Sequence, residues 1–437
     1  MRTEQTISER SSPGLPSAAA SVRSNTRRGN SRRILSLGII VLSVAALGWE
    51  FWTWISNQDL WPDHSVYRWA VNAWTHGWDL MPSETPVRNG EPLPWVYPPF
   101  AVLPLAPLAV LPLKVDIALL YALNALALST TFYLVLRRTW PGVEPLLCFA
   151  LSVALVRLSL FLEPVFGCFA QGQINILLMG LVVADCLTRH PHWPRGMLVG
   201  IAAAIKLVPG VFVLFFLLRK DFRAATTAVG TAFLATLAGF LVDFEASVKY
   251  WFTQGPASAA FGSPLRTNQT VLAVLTRTDL SQVTRVSLWL LACVVLGALA
   301  VYCVRRSSDA LAVVLIGLVA LLVSPTSWSN HWVWLAPLLL FMVLYGLRSR
   351  SKLWLTAAVL SIHVAHWAPF VRLPLNRHLI LHLPPEDQLR AAAFVILGVA
   401  LLVLATFSVF RSSRSSPGRG SGEWYPVSLL RTGERAP

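Results

Sequence analysis

Set into an otherwise apolar chain are a few side chains able to do chemistry. They are the carboxylates Asp59, Asp63 and Glu163, the amides Gln173, Asn175, Asn268 and Gln269, the phenol Tyr97, and two groups that can carry positive charge, Lys206 and His331. A carboxylate can accept a proton, a lysine or histidine can meet an anion, and amides and a phenol can orient hydroxyls or phosphate oxygens. As a set they suit the handling of a polar headgroup at a lipid boundary. Each also has an ordinary reading. Asp63 can be a loop residue or helix cap, His331 beside Trp332 an interfacial anchor, and Gln173 and Asn175 can pair neighbouring helices. Lys206 is harder to dismiss. It lies in the middle of the apolar block 197–218, where a lysine in a simple spanning helix costs roughly 2.5 to 3.5 kcal/mol. Glu50, Arg157 and Asp185 also sit within apolar blocks, and the sequence does not name their partners. "NQT" at 268 matches a glycosylation sequon, a pattern too short to carry weight.

The elements that must position these groups are membrane helices. The 437 residues are 55% hydrophobic and 13% charged, and the apolar residues gather in blocks of about 15 to 22, close to the length that crosses a bilayer. The net charge of +15 is concentrated in the termini and in short connections between blocks, which is the pattern of membrane topology rather than of nucleic-acid binding. The five cysteines (148, 168, 186, 293 and 303) lie in or beside apolar blocks without metal-binding or disulfide spacing. Residues 1–33 and 411–437 are rich in Ser, Arg, Pro and Gly and are expected to be disordered. Between them, 34–410 forms a single integral-membrane domain.

One apolar run cannot be an ordinary span. "WVYPPFAVLPLAPLAVLPL", residues 95–113, is interrupted by Pro98, Pro99, Pro104, Pro107 and Pro112, each of which removes a backbone donor and clashes with the preceding turn. A re-entrant or juxtamembrane segment is expected. With Arg27, Arg28, Arg32 and Arg33 in the cytoplasm, the first span is 34–55, residues 56–114 form a large extracytoplasmic loop, and 115–136 returns to Arg137 and Arg138. Further spans are expected at 143–162, 173–188, 222–242, 286–304, 310–323, 332–347, 353–371 and 391–410. The block at 197–218 becomes two short membrane helices broken near Lys206 and Pro209. The expectation is an all-α polytopic protein of about twelve transmembrane or partial helices with both termini cytoplasmic. Most of the polar residues above then meet at the outer face. The basic "VRLPLNRH" at 371–378 is left outside, against the charge rule.

In order along the chain, "DHSVY" (63–67), "VYPPFAVLPLAPLAVLP", "LEPV", "GQINILLMGLVVAD", "GIAAAIKLVPGVFVLFFLLR", "TNQT" and "SPTSWSNHWVW" resemble the polyprenol-phosphate-mannose-dependent alpha-1,2-mannosyltransferases. These are glycosyltransferase-C enzymes of mycolic-acid bacterial envelopes. The resemblance covers about 57–347. It implies a plasma-membrane enzyme that moves mannose, with inversion and on the extracytoplasmic side, from polyprenyl-phosphate-mannose to a mannolipid acceptor such as phosphatidylinositol mannoside, lipomannan or lipoarabinomannan. The family's catalytic aspartate falls on Asp63, with Asp59 as the fallback. As general base it would take the proton of the attacking hydroxyl. Lys206 and His331 would stabilise the departing phosphate, while Gln173, Asn175, Asn268, Gln269 and Tyr97 would hold donor sugar or phosphate. No carboxylate cluster suits a divalent metal, so metal-independent transfer without a cofactor is expected. One departure is Phe166, where relatives often carry a basic residue after "EPV". The competing classes are a lipid-linked sugar flippase, whose polar residues should lie at mid-membrane, and transfer of arabinofuranose instead of mannose.

Overall fold

The computed structural model describes residues 18–55, 61–82, 86–88, 91–254, 261–374, 380, 381 and 383–415. Asp59 lies outside them. Apart from a two-residue antiparallel ladder, Val87–Arg88 with Glu91–Pro92, the described chain is helical.

The helices are α1 (Ala18–Ile55), α2 (Pro62–Thr75), α3 (Val102–Ala109), α4 (Leu113–Thr139), α5 (Pro145–Ser159), α6 (Glu163–Ala170), α7 (Asn175–Leu187) and α8 (Met197–Ile205). They continue as α9 (Val213–Leu218), α10 (Phe222–Val242), α11 (Phe244–Val248), α12 (Val271–Thr276), α13 (Gln282–Arg306), α14 (Asp309–Val323), α15 (Leu335–Ser349) and α16 (Lys352–Trp367). A short helix, Pro385–Ala391, and a long one, Ala393–Ser415, complete the chain. Among the described residues seven helices are long and apolar enough to cross a membrane: Asn30–Ile55, Leu113–Thr139, Phe222–Val242, Gln282–Arg306, Ser329–Ser349, Lys352–Arg372 and Ala393–Ser412.

Two expected spans take another form. The one expected at 143–162 bends by 82° between α5 and α6, because Pro164 in the first turn of α6 starts a new helix instead of extending the old one. The one expected at 173–188 is the 13-residue α7. The helix expected to begin at 34 starts at Ala18, and the last helix runs to Ser415. The proline-rich run forms a 3-10 turn, Pro99–Ala101, continuous with α3, and then breaks before Pro112. Pro99–Ala109 rises about 16 Å at 1.5 Å per residue, half of a hydrocarbon core. It packs on α2 and α10.

Four turns follow one recipe. Arg137 and Arg138 precede a Glu144 cap, Arg219 and Lys220 an Asp221 cap, Arg305 and Arg306 a Ser308 cap, and Arg348 and Arg350 a Ser351 cap. Cations favour the carbonyl end of the preceding helix, and the cap side chain satisfies the free amides of the next. These turns meet at one end of the bundle. Arg138 donates to Leu187 O at 2.7 Å, Arg348 to Thr139 O, and Arg219 to Ser307 O at 2.7 Å while pairing with Asp309 at 3.1 Å. At the centre, α14 is buried from Ala310 to Leu322, and the indole of Trp334 lies where any Cβ on Gly317 would be, 2.3 Å from its nearest atom. Only glycine there lets the chain at 334 approach so closely.

Candidate active site

The site is assembled at the end of the bundle opposite the basic turns, starting from the docking of α2. Its leading amides are capped by the end of α6 and the turn after it. Trp61 N donates to Ala170 O at 2.9 Å, and Asp63 N and His64 N donate to Gln171 O at 3.1 and 3.3 Å. Gly172 makes this approach possible. Its φ is +67°, and a Cβ there would lie 2.7 Å from the Cβ of His64. Gly172→Ala is therefore expected to destabilise the protein by about 1 to 3 kcal/mol, read as a lowered melting temperature of the purified protein.

Residues four apart share a helix face, and α2 uses two such pairs. His64 and Arg68 turn to the buried Asp116 of α4, at 2.9 and 2.6 Å, and Arg68 also donates to Leu111 O at 3.0 Å. That anchor sets the rotation of α2. The other pair, Asp63 and Tyr67, consequently faces Gln173. Gln173 Nε2 donates to Asp63 Oδ2 at 2.7 Å, and its Oε1 accepts from Tyr67 at 3.1 Å and from Tyr97 at 3.3 Å. The Gln173 backbone is fixed in turn, since its carbonyl accepts from Asn124 Nδ2 at 2.9 Å and from the Cys168 thiol at 3.6 Å. Burial pushes the Asp63 carboxyl above its ordinary range, while the Gln173 hydrogen bond and the charge of Lys206 pull it back.

Lys206 follows α8 in an extended conformation, φ −150° and ψ 128°, and Pro209 begins the next helical turn. The break turns the amine sideways. Nζ donates to Asn175 Oδ1 at 2.8 Å, stands 3.4 Å from His331 Nε2, and lies 5.2 Å from the centre of the Tyr97 ring. Among the described residues it forms no ion pair. His331 is carried by the loop after α14. That loop is held to α6 by Ser329, which donates to Glu163 Oε1 at 2.6 Å, and to α7 by Asn175 Nδ2, which reaches Asn330 O at 3.3 Å.

Of the expected site residues, Asp63, Tyr97, Gln173, Asn175, Lys206 and His331 are brought into one network. Asn268 and Gln269 are not. Both are fully buried, with Asn268 Oδ1 accepting from Ser327 N and its amide donating to Ser263 O, while Gln269 bonds to the backbone of Arg266, Ala391 and Phe394. Irregular backbone in apolar surroundings needs such partners. These two amides buckle the loop that carries His331. The Gln173 amide is engaged by Asp63 and two phenols. Phe166 is 45% exposed and meets Trp54 edge-on at 5.2 Å. The partners missing from the sequence reading are now visible: Glu50 pairs with Arg157 at 3.0 Å, and Asp185 caps α8 through Gly196 N and Val199 N, both at 2.9 Å. Tyr67, Asn124 and the His64–Asp116 pair escaped that reading. The four-residue spacing on α2 is the signal that could have found Tyr67.

A cleft runs from this network between α7, the turn at 208–212, α14 and residues 331–334, with Asn175, Lys206 and His331 at its polar end and Leu178, Phe212 and Trp334 on its apolar walls. The rings of Phe212 and Trp334 stack at 4.9 Å. The arrangement places a cation at the polar end of an apolar groove, with the Asp63 carboxylate joined to the same network through Gln173 and Tyr97. The profile of glycosyltransferase family 87 matches residues 95–325. The chain belongs to that family.

Two relatives cover nearly the whole of this family 87 chain. The polyprenol-phosphate-mannose-dependent alpha-(1-2)-phosphatidylinositol mannoside mannosyltransferase of Mycolicibacterium smegmatis is 35% identical over 90% of this chain and 94% of its own length. Its Mycobacterium tuberculosis counterpart is 32% identical over 89% and 94%. A phosphatidylinositol pentamannoside mannosyltransferase of Mycobacterium tuberculosis is 30% identical over 75% and 76%. No solved structure matches significantly. The network described above includes residues from α2, the 95–98 segment, α7, the α8 break and the 331 loop, so all but α2 and His331 fall inside the matched region.

Proposed function

We propose that this chain is a membrane mannosyltransferase that moves mannose from polyprenyl-phosphate-mannose to a phosphatidylinositol mannoside, forming an alpha-1,2 bond with inversion. The observation that carries the reading is the convergence of Asp63 with an ammonium group, Lys206, that forms no ion pair among the described residues. A cation without a contact counter-ion, at the polar end of an apolar cleft, suits a lipid phosphate.

Gln173 occupies one oxygen of Asp63. The other takes the proton of the acceptor hydroxyl as that oxygen bonds to the anomeric carbon, and the bond from that carbon to the phosphate oxygen breaks on the opposite face. The proton ends on Asp63, and the leaving polyprenyl phosphate gains a negative charge. Lys206, steadied by Asn175, and His331 stabilise that charge as it develops. The isoprenoid lies along Leu178, Phe212 and Trp334, next to the proline-rich wall. The expected metal independence is tested by assay in the presence of a chelator.

The sidedness rests on α4. Asp116, which anchors the helix of Asp63, and Arg137 lie at its two ends, about 32 Å apart at 1.5 Å per residue, the thickness of a hydrocarbon core. With the basic turns cytoplasmic, both termini are cytoplasmic and the site is extracytoplasmic in a bacterial plasma membrane. We read the architecture as glycosyltransferase-C type with about twelve transmembrane or partial helices. Seven long helices, one bent pair and four shorter apolar helices support that reading.

The test supplies purified protein in nanodiscs with radiolabelled polyprenyl-phosphate-mannose and phosphatidylinositol mannosides of increasing length. Labelled product with a new alpha-1,2 bond is expected. Product only from a polyprenyl-phosphate-arabinose donor, or movement of donor across the bilayer without transfer, would replace the reading.

A further inference from the structure

A terminal amide has two ends of opposite character, and only one suits a base. With its N–H toward a carboxylate it stabilises the ionised form. Reversed, its oxygen faces the carboxylate and is compatible only with a protonated acid. In Gln173 the backbone is held on both sides, its N–H donating to Cys168 O at 2.9 Å and its carbonyl accepting from Asn124 and Cys168. What remains free is the turn of the amide itself. At the end away from Asp63 that turn is governed by two buried phenols, Tyr67 and Tyr97, packed edge to face at 5.5 Å.

Three contacts link the two hydroxyls and Gln173 Oε1: 3.0 Å between the phenols, 3.1 Å from Tyr67 and 3.3 Å from Tyr97. Two hydroxyl protons serve them, and the amide oxygen accepts at least one, whichever phenol donates across the 3.0 Å contact. The result is a chain in which the phenol pair donates to Gln173 Oε1 and Gln173 Nε2 donates to Asp63. Each bond polarises the next. Lys206 over the Tyr97 ring, at 5.2 Å, places a cation beside the phenol pair and so links the phosphate-binding side to the base.

We propose that Tyr67 and Tyr97 are positioning residues that hold the Gln173 amide with its N–H toward Asp63 and thereby set the basicity of that carboxylate. The inference rests on reading Asp63 as the general base. The groups facing Asp63 are Gln173, the cation Lys206, and Tyr67 and Tyr97, with Cys168 behind the phenols. His64, its neighbour in the chain, turns away to Asp116. Without the Tyr67 hydroxyl, Gln173 can reverse, the ionised form of Asp63 loses a donor, and its proton is held to higher pH.

The experiment is the dependence of kcat/KM on pH for the full chain in nanodiscs, whose acid limb reports the essential base of the free enzyme. Tyr67→Phe removes one oxygen from a packed ring and should leave the melting temperature close to that of the parent. Its acid limb is expected to move up by about one pH unit, with the rate recovering at alkaline pH. Tyr97→Phe, which removes the longer of the two contacts to Gln173 Oε1, should move the limb in the same direction and by less. An acid limb that stays in place in Tyr67→Phe, whether the rate is unchanged or uniformly lower, overturns the inference, as does a downward move. Asp63→Asn separates the two levels. If it is inactive at every pH while Tyr67→Phe leaves the limb in place, only the positioning role fails. If it is fully active, the base assignment itself fails.

Discussion

Asp63→Asn is expected to lower transfer by roughly 10²- to 10⁴-fold while the protein keeps its melting temperature and still binds donor. The substitution is nearly isosteric. The new side chain can still accept from Gln173 Nε2, which reaches the present carboxylate at 2.7 Å, so the amide and the two phenols behind it keep their arrangement. Loss of negative charge near the start of α2 removes a favourable interaction with the helix dipole, worth about 0.3 to 1 kcal/mol, and relieves the burial of an ionised group. These oppose each other, and the fold is nearly neutral to the change. What disappears is the ability to hold a proton. In the parent protein the same burial raises the Asp63 carboxyl above its ordinary range, so activity should fall as pH drops through that raised value, and the Asn variant should show no such limb. Single-turnover transfer of labelled mannose, with donor binding measured separately, distinguishes the two effects. Undiminished turnover would remove the base assignment.

Much of this site could be read from residue chemistry, and what escaped did so for identifiable reasons. Lys206 declared itself because an amine in an apolar block needs an explanation, and Pro209, three residues later in the chain, showed where the helix must break; the structure places that break at Lys206 itself. The prolines of 95–113 likewise limited that run to a short helix, as observed. Other features depended on pairings no local pattern encodes. Gln173 meets Asp63 across 110 positions and Tyr67 across 106, and an amide shows nothing in sequence of whether it will face a ligand or orient another side chain. Asn268 and Gln269 illustrate the same point. Polar residues in a loop near the outer face suggested a ligand, and in the structure they satisfy the buried carbonyls and amides of the loop and its neighbours. The bend at α6 had a visible signal in Pro164, outweighed by the continuous apolar run around it.

Lys206→Met is the change for which activity and stability are expected to move apart. The thioether has similar length and no charge, so it can fill the same space between Asn175, His331 and the Tyr97 ring. Lys206 forms no ion pair among the described residues and feels the Asp63 carboxylate only at longer range, which makes it a desolvated charge without a contact counter-ion, and replacing such a charge by an apolar side chain is neutral or stabilising. The melting temperature should hold or rise. Transfer should fall by about 10²- to 10³-fold, the scale of removing one group aimed at developing charge, because the leaving phosphate then meets only His331 and neutral donors. Lys206→Arg retains the charge, but its planar fork differs from the compact ammonium, so partial activity is expected. Measuring kcat, donor KM and melting temperature together settles the role. A Met variant that unfolds more readily with its remaining activity per folded molecule intact would make Lys206 a structural residue, whereas a firmer but inactive protein is what an anion site without its anion requires.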